Sequence, residues 1–213
     1  MPTPDLFPTA PDPAANLLPR DGVLHDYGIC FSAVDADRYL QQLLTQIPWQ
    51  HDRLLIYGKP VTTAREIAWY GDRPFNYRYS GSDHRARPWD DTLRALKTAV
   101  ERISGSHYNA CLLNLYHDGN EGMGWHSDDE AVLGDNPDIA SLSFGATRKF
   151  AFRHKADGEK VALFLQHGQL IVMRGATQAH WQHAILKSKK IHAPRVNLTF
   201  RTIVDAPVSY THL

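Results

Sequence analysis

The spacing of apolar positions changes character along the chain. Over residues 34–47, Tyr39, Leu40, Leu43, Leu44 and Ile47 recur at helical intervals, with Ser32 or Asp35 placed to cap the start. Over 89–104, Leu93, Leu96, Ala99, Val100 and Ile103 make one face, and Gly105 stops the run. Elsewhere the runs shorten to strand length, at 54–57, 64–70, 110–116, 139–144, 149–154, 161–165, 169–173, 180–186 and 195–204. Turn residues separate them: Gly71-Asp72, Asp118-Gly119-Asn120, Asp157-Gly158 and His167-Gly168. Two helices and many short strands predict a mainly β fold with flanking helices, a double-sheet roll with the helices on one side. No internal repeat interrupts this pattern.

Composition refines the picture. With 213 residues, 43% of them hydrophobic, the chain can bury one substantial core. Pro2, Pro4, Pro8, Pro11, Pro13 and Pro19 exclude a regular helix or central strand near the start. Residues 1–20 are therefore expected to be a flexible arm and 21–213 a single domain. Lys and Arg together number 23, as do Asp and Glu, so there is no overall basic footprint of the kind many nucleic-acid binders carry. The charge is uneven, however. Arg53, Lys59, Arg65, Arg73, Arg78, Arg85 and Arg87 form one basic stretch, and Lys187, Lys189, Lys190, Arg195 and Arg201 a second. Cys30 and Cys111 have neither metal nor redox spacing, which points to a reducing, intracellular setting. No signal-peptide pattern or membrane-length apolar run is present in the sequence.

The chemistry centres on His126-Ser127-Asp128. In a strand, residues two apart share a face, so this imidazole and carboxylate could reach one ion. On its own the pair is also what a surface turn with a capping Asp would look like. Two histidines and one carboxylate on one side of a metal make the non-haem Fe(II) site, and His183 and His180 compete for the third place. They are three apart, so a regular strand would send them to opposite faces, and spacing alone does not choose. Further on, Arg195 and Arg201 are six apart and share a strand face with Asn197 and Thr199. Two inward arginines require an anionic partner, and a dicarboxylate such as 2-oxoglutarate would supply one. An exposed edge strand is the plainer alternative.

The segments Asn114-Leu115-Tyr116-His117-Asp118-Gly119, His126-Ser127-Asp128-Asp129-Glu130, Ser141-Leu142-Ser143-Phe144-Gly145-Ala146 and Phe150-Ala151-Phe152-Arg153-His154-Lys155 resemble the AlkB family, as does Ala193-Pro194-Arg195-Val196-Asn197-Leu198-Thr199-Phe200-Arg201. The likeness is to the branch of the second and third human homologues and runs from about residue 54 to 203. It implies a double-stranded β-helix, or jelly-roll, core over about 110–204 and a nucleotide-recognition lid over about 51–110. It selects His183, giving His126, Asp128 and His183 as Fe(II) ligands. It also assigns Asn114, Tyr116, Arg195, Asn197, Thr199 and Arg201 to 2-oxoglutarate, with O2 as the second co-substrate. The implied reaction is oxidative dealkylation of 1-methyladenine and 3-methylcytosine, releasing formaldehyde, succinate and CO2. DNA, duplex or single-stranded, is the implied partner, with RNA as a further one.

For the substrate, the resemblance places Tyr77 and Tyr79 in a lid, with Tyr79 stacking a flipped base against His126. Tyr57 falls where a relative carries an intercalating Phe. Asp129, with Glu130 beside it, could favour a cationic methylated base or form a solvated pair. Arg65, Arg73, Arg78, Lys187, Lys189 and Lys190 are candidate phosphate contacts. A monomer without membrane attachment is expected, cytoplasmic in a bacterium or nuclear in a eukaryote. Two rivals stand beside this reading. One is a related hydroxylase or demethylase acting on protein or a small molecule. The other is a silent binding module, which the intact His126, Asp128, His183, Arg195 and Arg201 oppose.

Overall fold

The computed structural model describes residues 11–56, 59–74, 76–79 and 82–204, with the backbone alone at 53–56, 59–60, 76–79 and 82–84. In chain order these form β1 (Val23–Ile29), α1 (Ala33–Gln46), β2 (Gln50–Ile56), β3 (Lys59–Gly71), β4 (Asn76–Tyr79), β5 (Ser82–Arg85), β6 (Arg87–Pro88) and α2 (Asp91–Ser104). There follow β7 (Ala110–Tyr116), β8 (Met123–His126), β9 (Ile139–Gly145), β10 (Arg148–His154), β11 (Lys160–Leu165), β12 (Gln169–Arg174), α3 (Thr177–His180), β13 (Trp181–Ile185) and β14 (Arg195–Arg201).

Most strands build two facing sheets, while β4 and β5 pair as a separate two-stranded ribbon. The larger runs β1-β12-β9-β14-β7-β3-β2, with β6 beside β3, and the smaller runs β11-β10-β13-β8. Both are antiparallel apart from the short β3–β6 pairing. The two-residue period of a strand divides the larger sheet into two working faces. Cys111, Leu113 and Leu115 of β7, Ala140, Leu142 and Phe144 of β9, and Val196, Leu198 and Phe200 of β14 pack against Leu43 of α1 and Leu93, Leu96 and Val100 of α2. The opposite face turns toward the smaller sheet, where Leu112, Tyr116, Ile171 and Met173 meet Phe150, Phe152 and Ile185. Helices on one side and a second sheet on the other leave the inter-sheet space as the place for polar chemistry.

The two longer helices begin and end where their sequence dictates. Ser32 caps α1 by accepting from the Asp35 amide at 3.1 Å, and Asp90 caps α2 by accepting from the Leu93 amide at 2.8 Å. Gly105 ends α2 at φ 73°, a conformation that favours glycine. β1, β4, β5 and β6 lie outside the apolar runs that the sequence pattern predicts as strands, and β8 was expected only through the His126–Asp128 spacing. β1 carries His25 and Asp26 in place of a regular apolar alternation, and it forms because β12 offers it a sheet edge.

The described part of the proline-rich stretch has turns only, as its prolines require, and it docks. Leu18 is buried, and Asn16 Oδ1 accepts from the amides of Leu18 and Leu24. Trp181 Nε1 donates to the Arg20 carbonyl at 3.0 Å. Among the described residues no helix is long and apolar enough to cross a membrane.

Candidate active site

Two of the expected ligands meet through strand register. His126 of β8 and His183 of β13 stand directly opposite each other in the antiparallel ladder, with ring centroids 4.2 Å apart. His126 Nδ1 lies 2.8 Å from the Gly124 carbonyl, which makes Nδ1 the donor and leaves Nε2 to face Asp128 Oδ1 at 3.8 Å. Asp128 arrives differently from the expected strand alternation, because β8 ends at His126. A bend carries it inward. The Asp128 amide donates to Gln178 Oε1 at 2.9 Å, and Ser127 Oγ donates to the Trp181 carbonyl at 3.0 Å. One ligand atom from each of His126, Asp128 and His183 lies within 4.8 Å of the others.

The electrostatics favour the ligating forms. Burial pushes the His183 pKa down, and the neighbouring His126 pushes it further, to about 3. The imidazole is therefore neutral near pH 7, as a metal ligand must be. For Asp128, burial pushes the pKa up, but Arg201, His183 and His126 outweigh it and hold the carboxyl at about 2.

β14 supplies the polar wall. Arg195, Asn197, Thr199 and Arg201 all point away from the helices, and β7 sets Tyr116 opposite Arg195 and Asn114 opposite Asn197. Arg201 Nη2 reaches Asp128 Oδ1 at 2.9 Å with both groups buried, linking this wall to the candidate metal-binding carboxylate. Asn197 Nδ2 donates to Ser141 Oγ at 2.8 Å, and Thr199 Oγ1 donates to Asn197 Oδ1 at 3.1 Å. One pocket is bordered by His126, Asp128, His183, Asn114, Tyr116, Asn197, Thr199 and Arg201. Arg195 sits behind Tyr116, its guanidinium 5.5 Å from the ring centroid. Burial lowers the Arg195 pKa to about 10, which still leaves it charged at pH 7. Its Nη2 donates to Ser143 Oγ at 2.8 Å, while Nε and Nη1 meet no hydrogen-bond acceptor among the described residues. A buried guanidinium with donors to spare is costly alone and suits a carboxylate.

The substrate candidates are more dispersed. Arg65 is buried at the pocket, not on an outer surface where a phosphate would lie. Its Nη2 donates to Asp52 Oδ2 and its Nη1 to Asn114 Oδ1, each at 2.6 Å. Asp129 is exposed, 3.8 Å from Lys155 Nζ, and borders a separate depression with Asp135 and Gln178. Glu130 is half-buried. Arg73, Lys187, Lys189 and Lys190 are exposed. Tyr57 lies outside the described residues, as do the side chains of Tyr77, Tyr79 and Arg78, although β4 pairs Tyr77 with His84 and Tyr79 with Ser82. His180, the rival ligand, closes α3 and is exposed. Sequence reasoning did not pick out Gln178, Ser141, Ser143 or Asp52. The two serines carried a usable signal, being polar at alternate positions of an otherwise apolar strand.

Comparison with known proteins decides the family. The model of the 2OG-Fe(II) oxygenase superfamily matches residues 23–201. Alpha-ketoglutarate-dependent dioxygenase alkB homolog 3 of Homo sapiens is 42% identical over 183 residues, 81% of this chain and 63% of that protein. DNA oxidative demethylase ALKBH2 of Homo sapiens is 37% identical over 195 residues, 86% of this chain and 75% of that protein. The chain belongs to the AlkB family of 2OG-Fe(II) oxygenases. It spans a little under two thirds, 63%, of the length of the human alkB homolog 3. The solved structure of OsALKBH1 shares the fold, with a TM-score of 0.57 over 87% of this chain and 98% of that one at 15% identity. The two facing sheets are thus the family's jelly roll. Fe(II) and 2-oxoglutarate are the groups this family implies, and the residues fit both. The two-histidine, one-carboxylate set suits Fe(II), and the open donors of buried Arg195 suit a dicarboxylate.

Proposed function

We propose that this chain removes alkyl groups oxidatively from the N-alkylated bases of nucleic acid, with DNA as the first substrate and RNA as the second. The observation that carries this is the convergence of His126, Asp128 and His183 on a pocket whose other wall is Asn114, Tyr116, Asn197, Thr199 and Arg201. The relatives are named as dioxygenases and DNA oxidative demethylases, which supports the same substrate class here.

In this reading His126, Asp128 and His183 hold Fe(II), the neutral imidazoles giving lone pairs and Asp128 the single negative charge. Arg195 and Tyr116 take the far carboxylate of 2-oxoglutarate, and Arg201, Asn114 and Asn197 take its oxo-acid end. Thr199 fixes Asn197, and Arg65 fixes Asn114. Bound Fe(II), with 2-oxoglutarate and O2, supplies the oxidation of an N-methyl carbon, which leaves as formaldehyde alongside succinate and CO2. The protein contributes position and the exclusion of side reactions. A base must leave the stack to reach a pocket between two sheets. Tyr79 and His126 sandwich it, Tyr77 closes over it, and Tyr57 fills the gap left in a duplex. Asp129 and Glu130 supply negative charge that favours cationic 1-methyladenine and 3-methylcytosine over unmodified bases. The enzyme acts as a monomer where the genome lies, in the nucleus of a eukaryote or the cytoplasm of a bacterium.

The test is an assay with Fe(II) and 2-oxoglutarate on matched single- and double-stranded oligonucleotides carrying 1-methyladenine, read by mass spectrometry. Loss of the methyl mass, dependent on both additions, is expected. Succinate formed with no change in any oligonucleotide would move the activity to a protein or small-molecule substrate.

A further inference from the structure

A second group of metal-ligating side chains lies at the other end of β13. His154 closes β10 and is 4% exposed. Its Nε2 stands 3.2 Å from Asp21 Oδ2, and its ring lies parallel to that of His180 with centroids 6.2 Å apart. One ligand atom from each of Asp21, His154 and His180 lies within 4.8 Å of the others. Three separate parts of the chain meet here: the segment before β1, the end of β10, and α3.

We propose that Asp21, His154 and His180 form a second metal site, for Zn2+ or a similar divalent transition ion, distinct from the iron centre. Two imidazoles and a carboxylate are a zinc-type donor set. Zinc bonds of this kind place ligand atoms about 3.3 Å apart in a tetrahedron, and His154 Nε2 to Asp21 Oδ2 already has that separation. The contact is not an ordinary hydrogen bond. Despite the short distance, His154 Nε2 meets no partner of hydrogen-bonding geometry among the described residues. Its Nδ1 accepts from the Ala156 amide at 3.4 Å and lies 3.2 Å from Asp157 Oδ1. Asp157 is in turn paired with Arg20. Trp181 packs edge-on against the His154 ring at 4.9 Å, which restricts its rotation. Asp21 is delivered by a close backbone approach: a Cβ on Gly22 would fall 2.9 Å from Thr177 Oγ1 and 3.0 Å from Thr177 Cα. The exposure of Asp21 and His180 gives an ion entry and lets solvent complete its coordination.

An ion here would clip the docked N-terminal segment to α3. The same helix supplies Gln178, which holds the Asp128 amide, and leads into the strand of His183. The clip would therefore steady the supports of the iron site without touching it.

Zinc bound to the whole chain is to be counted by equilibrium dialysis and elemental analysis. Two Zn2+ per wild-type chain are expected, because zinc also fills the iron site. One is expected in His126→Ala/Asp128→Ala and one in His180→Ala alone. Because His180 and Asp21 are exposed, His180→Ala and Asp21→Ala leave the core intact, and each should weaken the second ion at least ~10-fold. In the His126→Ala/Asp128→Ala background, Zn2+ should raise the melting temperature, and adding His180→Ala should remove the rise. A single Zn2+ on the wild type, or two retained by His180→Ala with unchanged affinity, overturns the proposal.

Discussion

The two faces of β14 are equally buried and do opposite things. Val196, Leu198 and Phe200 on one face, and Arg195, Asn197, Thr199 and Arg201 on the other, are all under a tenth exposed. The first set is satisfied by packing against the helices and neighbouring strands. The second is satisfied only in part by protein. Asn197 and Thr199 close a hydrogen-bond chain to Ser141, whereas Arg195 retains buried donors with no acceptor among the described residues. Burial alone thus does not separate core from site. What separates them is whether the buried groups find their partners inside the chain, since a charge left unmatched there is costly.

This contrast can be broken at one residue at a time. The largest effect is expected from His126→Ala, on the pocket side. It should remove the metal and lower turnover by at least about 10³-fold, with little change in melting temperature because His126 is partly exposed. Full activity of this variant after iron removal and reloading would sink the ligand assignment. On the helix side, Phe200→Ala should cost about 3–5 kcal/mol of stability, or roughly 6–20 °C in melting temperature for a domain of this size. Its KM for 2-oxoglutarate, measured well below the transition, should stay at the wild-type value.

Arg195→Met sharpens the comparison because it exchanges one kind of satisfaction for the other. The KM for 2-oxoglutarate should rise by about 30-fold or more, some 2 kcal/mol. Stability should hold or improve, as buried ions replaced by apolar side chains often allow. A variant that lost stability while keeping its KM would place Arg195 in the core instead of the site. The smallest effect is expected at Tyr57, in the proposed lid. Tyr57→Ala should reduce repair of duplex about 10-fold more than repair of single strands, since unstacking a base step costs a few kcal/mol. Equal losses on both substrates would reject the wedge.

Features with a strict period were legible in the sequence. The even spacing of Arg195, Asn197, Thr199 and Arg201 predicted a shared face, and the structure has it. The apolar faces of α1 and α2 gave their bounds to within one or two residues. Features set by tertiary contact were not legible. Asp128 lies beyond β8, and its position depends on Gln178, fifty residues away in the chain. His180 and His183 could not be ranked by spacing because β13 begins at Trp181, which puts His180 at the end of a short helix. Arg65 looked like a surface cation because its partner Asp52 sits on the neighbouring strand, past an irregularity in the β2–β3 register. The resemblance to a known family proposed the ligands that periodicity left open, while the supporting residues Gln178, Ser141, Ser143 and Asp52 emerged only from the structure.

The central claim is that one pocket couples 2-oxoglutarate turnover to dealkylation of a base. The most direct measurement is the stoichiometry of a reaction on a 1-methyladenine oligonucleotide, following methyl loss, formaldehyde and succinate together. One formaldehyde and one succinate for each methyl removed, with all three abolished in His126→Ala, is the expected result. Methyl loss that persists without 2-oxoglutarate, or succinate released while the methylated base is untouched, would contradict it.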